Sequence, residues 1–290
     1  MSVITRLDKI RRTTNWVDIM PLATLIILVI IMTIGSPRFL MPANLLGMLA
    51  QGSTLLVMGL GETFIILMGS IDLSIAPVAA MSTIIVAMLL PGYGYLAFVA
   101  GLLFGVFAGA LTGIVHTKAR IPSFIASLGA MGLWTGVAFV ITDATPITVA
   151  TENSYLTKWV TGTTFGVTNV VYIAVVTLLI TYILEKYTSF GRYVKAIGAG
   201  EKATKVSGVP IDRVKILAFI LCATLAALSG VLLSTKMSGG SARMADGFLL
   251  KAIAVVILGG TAISGGIGGV LRTVVGVLIV MVLDVGMNMF

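Results

Sequence analysis

Apolar runs of about 17–25 residues, parted by short polar or turn-forming stretches, recur along this chain from Val17 to its end. At about 1.5 Å per helical residue, a run of that length matches the ~30 Å hydrocarbon core of a bilayer, so each reads as a membrane-spanning helix. The pattern predicts a first span over Val17–Ile34, stopped by Gly35-Ser36-Pro37. The stretch Asn44–Leu90 is too long for one helix and is broken near Gly69-Ser70-Ile71-Asp72, which makes two spans. A turn at Pro91-Gly92-Tyr93-Gly94 precedes a fourth span over Tyr95–Val115, and Pro122–Ile141 forms the fifth. After a polar loop at 142–169 come Val170–Leu184, Val214–Thr235, Phe248–Leu258 and Val270–Met287, nine spans in all.

One long polar interruption stands out. Residues 185–215 hold seven of the chain's 19 Lys and Arg residues and three of its 11 acids. No lipid-embedded segment carries charge at that density, so this stretch lies in water. Its alternation of Gly, Ala and charged residues predicts short helices joined by tight turns, a structured basic loop suited to a soluble partner. The N-terminal Arg6, Lys9, Arg11 and Arg12, against Asp8 alone, place the N-terminus in the cytoplasm. Nine crossings then put 116–120 and 185–213 inside and 142–169 outside, where Asp143 and Glu152 face Lys158. Lys236, Arg243 and Lys251 disagree, because they would lie outside.

Composition narrows the function classes. The 290 residues are 58% hydrophobic and 10% charged, against about 25% charged in a soluble domain. The net charge of +8 sits in loops, as the positive-inside bias requires, and does not signal nucleic acid. Cys222 is the only cysteine, so an intrachain disulfide is impossible. His116 is the only histidine and reads as a solvated residue of a basic loop. The first apolar run is long enough to span and no small-residue cleavage pattern follows it, so no cleavable signal peptide is expected. There is no His/Cys cluster, nucleophile elbow or Walker A sequence, so the chain is not expected to be an enzyme or to bind nucleotide. A transporter of this make-up needs its energy from another chain, or from an intramembrane acid.

Two glycine-containing breaks carry information. The first runs from Leu67 through Gly69 to Asp72, Ser74 and Pro77. Backbone groups freed there must be satisfied by protein or cavity water, so the segment either lines or gates a pathway or forms a cytoplasmic hairpin in which Asp72 or Ser74 caps the next helix. The second holds Gly259, Gly260, Gly265, Gly266 and Gly268 and reads as close helix packing plus an irregular turn. Aligning Gly69 with Gly259 also pairs Ser74 with Ser264 and Thr83 with Thr273, a weak internal echo. Polar side chains inside the spans, Asn44, Gln51, Glu62, Ser123 and Ser127 among them, suit a hydroxyl-rich solute or bond between helices.

Four blocks, in order, resemble one known family. Gly69-Ser-Ile-Asp-Leu-Ser74 is similar to the Gly-Gly-Ile-Asp-Leu-Ser signature of sugar-type ABC importer permeases, the ribose/xylose/arabinose permease group of the branched-chain amino acid/sugar permease superfamily. Ile121-Pro-Ser-Phe124-Ile also fits. Gly191-Arg-Tyr-Val-Lys-Ala-Ile-Gly198, followed by Glu201, Ala203 and Ser207-Gly208-Val209, resembles the family's cytoplasmic coupling segment. Ile253-Ala-Val-Val-Ile-Leu-Gly-Gly-Thr261 with Gly265, Gly266 and Gly268 resembles its third block.

The resemblance implies an all-α fold, a polytopic transmembrane helical bundle of type II ABC importer kind with nine to ten spans, residues 1–290 being one permease domain and 185–215 its cytoplasmic coupling loop. It implies a multi-pass inner-membrane protein that moves a small hydroxylated solute by alternating access. A monosaccharide is the expectation, with autoinducer-type sugars, nucleosides and branched-chain amino acids open. ATP and Mg would sit on partner ATPase subunits, with no cofactor in this chain. A periplasmic or lipoprotein solute-binding protein and a second permease, identical or related, complete the set. Arg192, Lys195, Gly198, Glu201, Ala203, Lys205 and Gly208 are carried over as docking residues. Asn44, Gln51, Glu62, Asp72, Ser74, Ser123, Phe124 and Ser127 are expected at the pathway or gate. The chain departs from the family pattern at Ser70, at Leu249 and Lys251 in place of an acidic pair, at Arg272 in place of Gly, and in stopping at Phe290, one helix short. The alternative reading is an ion-driven secondary transporter with Glu62 or Asp72 as its ion site; a membrane-embedded enzyme or a scaffold comes after that.

Overall fold

Eleven α-helices carry nearly all of the chain in a computed structural model that describes residues 3–149 and 155–289, with side chains from Ile19 onward. The basic N-terminal side chains and Glu152 therefore lie outside the described residues. The helices are α1 (Val3–Gly35), α2 (Pro42–Leu67), α3 (Ile75–Tyr93), α4 (Leu96–Lys118), α5 (Ser123–Thr142), α6 (Lys158–Thr161), α7 (Asn169–Tyr187), α8 (Ser189–Val206), α9 (Ile211–Met237), α10 (Leu249–Leu258) and α11 (Val270–Met287). Among the described residues, seven are long and apolar enough to cross a membrane: α2, α3, α4, α5, α7, α9 and α11. The apolar part of α1, Ile19–Gly35, is slightly shorter.

The bundle is built around α2 and α9. From Gly52 to Leu67 nearly every residue of α2 is buried, including Ser53, Thr54, Glu62 and Thr63. α4 lies along α9 through Gly105, Gly109 and Gly113, a glycine every fourth residue. A Cβ at Gly105 would lie 2.7 Å from the Ala223 carbonyl oxygen, and one at Gly113 3.0 Å from Ile216 Cα. Without side chains on that stripe, the two backbones meet directly, the mode by which helices associate in lipid.

The bundle has two ends. One carries α8, the α4–α5 turn and the breaks after α2 and α10. The other carries the segments at 36–41, 142–149, 155–168 and 238–248. There β1 (Ile147–Thr148) pairs antiparallel with β4 (Gly239–Gly240), and β2 (Thr163–Thr164) with β3 (Val167–Thr168). A small apolar cluster including Leu90, Phe98, Val149 and Leu156 seals this end.

The polar stretch 185–215 is made of helices joined by turns: α7 runs on to Tyr187, α9 begins at Ile211, and α8 between them is broken at Gly200, whose backbone is non-helical. Three other expectations change. The expected span over Phe248–Leu258 is instead the ten-residue α10, about 15 Å long, half a hydrocarbon core. Residues 238–248 return from the end of α9 in irregular form, and Gly240 packs on the Thr83 carbonyl in mid-α3. Lys251 thus sits on α10, paired with Asp284 of α11, rather than in an outer loop. His116 is not freely solvated. Its Nδ1 is 2.7 Å from the Ile121 carbonyl and its ring leans on Phe219.

Candidate functional site

Three segments far apart in sequence meet at the α8 end. Leu67 is the last residue of α2, and its carbonyl accepts the Gly266 amide at 2.9 Å. Gly69 and Gly265 both adopt positive φ, +72° and +85°, which only glycine does without strain. Gly198 of α8 closes the group from the third side. A Cβ there would fall inside the Leu67 carbonyl, and a Cβ on Gly265 would lie 2.9 Å from Gly198 Cα. The glycines at 69, 198, 265 and 266 thus let α8 touch the ends of both helix breaks with backbone alone. Nearby, Gly260 and Gly268 also have positive φ, and Arg272 donates to the Gly260 carbonyl at 2.7 Å. Gly259 packs on the Arg272 carbonyl.

A second link runs through Glu185. Its buried carboxylate takes Lys195 of α8 at 2.6 Å and the Val270 amide, the first residue of α11, at 2.7 Å. A carboxylate at a helix N-terminus satisfies an otherwise orphaned N–H and lies favourably along the helix dipole. Lys195, half-buried, is thereby tied to Glu185. Arg192, Glu201, Ala203, Lys205 and Gly208 remain exposed on α8 and the turn after it, with Glu201 paired to Lys215 at 2.9 Å.

The first break is tied from within. Asp72 is fully buried; its Oδ1 accepts the Ser74 amide at 2.8 Å and the Ser74 hydroxyl at 2.6 Å. This is an Asx turn, and Ser74 makes no side-chain cap of its own. The Asp72 amide donates to Glu62 Oε1 at 3.2 Å, while the Cys222 thiol reaches Glu62 Oε2 at 3.5 Å. From α5, Ser123 Oγ accepts the Ile71 amide at 3.4 Å, and Ser127 Oγ donates to the Ile71 carbonyl at 3.3 Å. Glu62, Asp72, Ser74, Ser123 and Ser127 are thus brought together. Phe124 is exposed on α5.

Asn44 and Gln51 lie elsewhere. Asn44 donates to the Phe39 carbonyl at 2.7 Å, holding the start of α2. Gln51 is eleven residues before Glu62, about 16 Å along α2, and opens onto a cavity of about 710 Å³ at the opposite end, which Lys236, Lys251 and Asp284 also line.

Sequence reasoning missed Glu185, Leu67 and the Thr63–Thr273 hydroxyl pair, 2.6 Å apart, which joins α2 to α11. An acid at the very end of a span was the available signal for Glu185. A backbone carbonyl such as that of Leu67 leaves none.

The comparisons bear on this geometry directly. A family model described as branched-chain amino acid transport system / permease component matches residues 44–290. Ribose import permease protein RbsC of Bacillus subtilis (strain 168) is 37% identical over 93% of this chain and 84% of its own length. Its counterpart in Escherichia coli (strain K12) is 35% identical over 92% of this chain and 85% of its own. The L-arabinose transport system permease protein AraH of Escherichia coli (strain K12) is 30% identical over 91% and 80%. No solved structure matches the chain. All four resembling blocks fall within the matched residues, and this multi-pass membrane protein belongs to the branched-chain amino acid transport system / permease component family.

Proposed function

We propose that the chain is the membrane permease subunit of an ATP-binding-cassette importer that carries a monosaccharide inward by alternating access. The observation that carries this reading is the Gly198 junction: a water-exposed helix set directly on the ends of two broken spans. A partner that moves α8 moves both breaks, because no side chain lies between to absorb the displacement. The basic, exposed side of α8 suits ATPase subunits holding ATP and Mg, and the opposite end suits a solute-binding protein. A second permease chain would complete the pathway. The α8 end faces the cytoplasm, as does the N-terminus, and nine crossings result when α1 and the 238–258 segment, irregular up to the short helix α10, are counted with the seven long helices. The sugar assignment draws on the ribose and arabinose permeases to which the chain is similar.

The test is reconstitution with the ATPase subunits and the binding protein. Glu201→Arg and Arg192→Glu change only exposed groups, so the variants should fold yet lose ATPase co-purification and solute-stimulated ATP hydrolysis. Undiminished coupling in both would remove α8 as the docking element.

The buried Glu62–Asp72 contact favours one second reading, an ion-driven carrier. Uptake that needs no ATPase subunit and collapses with the proton gradient would select it.

A further inference from the structure

The opposite end holds a site that nothing in the coupling argument uses. The cavity of about 710 Å³ there has walls from α2, α9, the returning segment, α10 and α11. That volume lies in the range of small-molecule sites. Its polar groups are few and varied. Lys236, on the last turn of α9, donates to the Ala50 carbonyl at 3.2 Å, and among the described residues no carboxylate pairs with it. Lys251 and Asp284 are ion-paired across the cavity wall, with 45% and 30% of their side chains exposed, so both stay within reach of an occupant. Gln51 adds an amide that both donates and accepts. Leu55 and Phe248 supply apolar surface beside them.

We propose that this cavity is a solute-recognition site for an uncharged polyhydroxyl molecule of monosaccharide size, with Gln51, Lys236, Lys251 and Asp284 as the groups that read its hydroxyls. The proposal rests on the importer reading and gives that reading a specificity site. Lys251 and Asp284 offset one another as a pair, and the Lys236 ammonium is engaged by the Ala50 carbonyl. A neutral polyol uses both signs: its oxygens accept from Lys236 and Lys251, and its O–H groups donate to Asp284 and Gln51. The C–H face of a sugar ring then rests on Phe248 and Leu55. A polyol can hydrogen-bond the exposed parts of Lys251 and Asp284 while their ion pair stays in place.

The experiment compares ATP-driven uptake of D-ribose, L-arabinose and L-leucine by proteoliposomes holding the permease, its ATPase subunits and its binding protein. Losing one hydrogen bond to a solute hydroxyl should alter discrimination between two pentoses that differ in hydroxyl orientation by roughly three-fold or more. Lys236→Gln and Asp284→Asn should therefore change the ribose-to-arabinose ratio by that factor. The charge-swapped double variant, Lys251→Asp with Asp284→Lys, restores an ion pair but not the donor and acceptor positions, so its ratio should stay shifted. Gln51→Ala, which removes only a cavity-facing amide, reads the same ratio should an ion-pair variant fail to fold. Equal losses for both sugars in every folded variant, a ratio restored by the charge swap, or transport of L-leucine alone would overturn the site. Sugar uptake by the wild-type permease without its ATPase subunits would instead sink the importer reading, and the sugar ratio would still report on the cavity.

Discussion

The carbonyl of Leu67 and the amide of Gly266 are hydrogen-bonded at 2.9 Å although 199 positions separate them in the chain. Leu67 closes the buried helix α2, and Gly266 lies in the break between α10 and α11. This one bond ties the two helix–break–helix units at the same end of the bundle, with Gly198 of α8 packed against it.

Gly198→Ala puts a methyl into the Leu67 carbonyl. Overpacking of this kind costs about 1–3 kcal/mol. The variant should melt earlier in detergent than wild type and hydrolyse ATP without matching uptake. Lys202→Ala, exposed on the same helix, should leave both measurements unchanged.

Glu185→Ala strips the acceptor from both Lys195 and the Val270 amide. Leaving a buried N–H without a partner costs about 1–3 kcal/mol. Glu185→Gln keeps an acceptor for Val270 and should be milder. Thermal melts of Glu185→Gln, Lys195→Met and their double variant should show coupling, whereas strictly additive shifts would mean the ion pair contributes nothing.

Asp72→Ala removes the acceptor for the amide and hydroxyl of Ser74, both within a fully buried turn. A loss of about 1–3 kcal/mol follows from the unsatisfied donors. Glu62→Gln keeps an acceptor for the Asp72 amide, so ATP-driven uptake should persist. Abolished uptake in a well-folded Glu62→Gln protein would point to the ion-driven alternative.

Gly109→Val pushes a branched side chain into α9, where a Cβ at that position already lies 2.7 Å from Ile220 Cα. The α4–α9 contact cannot widen without opening the core around Phe219 and Ala223. The variant should express poorly and elute as aggregate. By contrast Gly132→Val, with no atom within 4 Å of its Cβ position, should behave as wild type.

Sequence alone determined the elements that depend on local composition. A lipid core rejects charge and unsatisfied backbone wherever they occur, so the seven long apolar helices, both glycine breaks and the polar stretch at 185–215 were legible in the residues themselves, and four ordered motifs were enough to find the family. The tertiary structure decided what depends on residues distant in the chain. Gly198 packs on Leu67 and Lys195 reaches Glu185, and no periodicity marks such partners. α10 is a half-length helix because the chain returns from α9 irregularly, with Gly240 packed against α3. Lys251, which broke the charge rule as a loop residue, lies opposite Asp284 in a cavity wall, where the opposite charge lowers the cost that burial in lipid would impose.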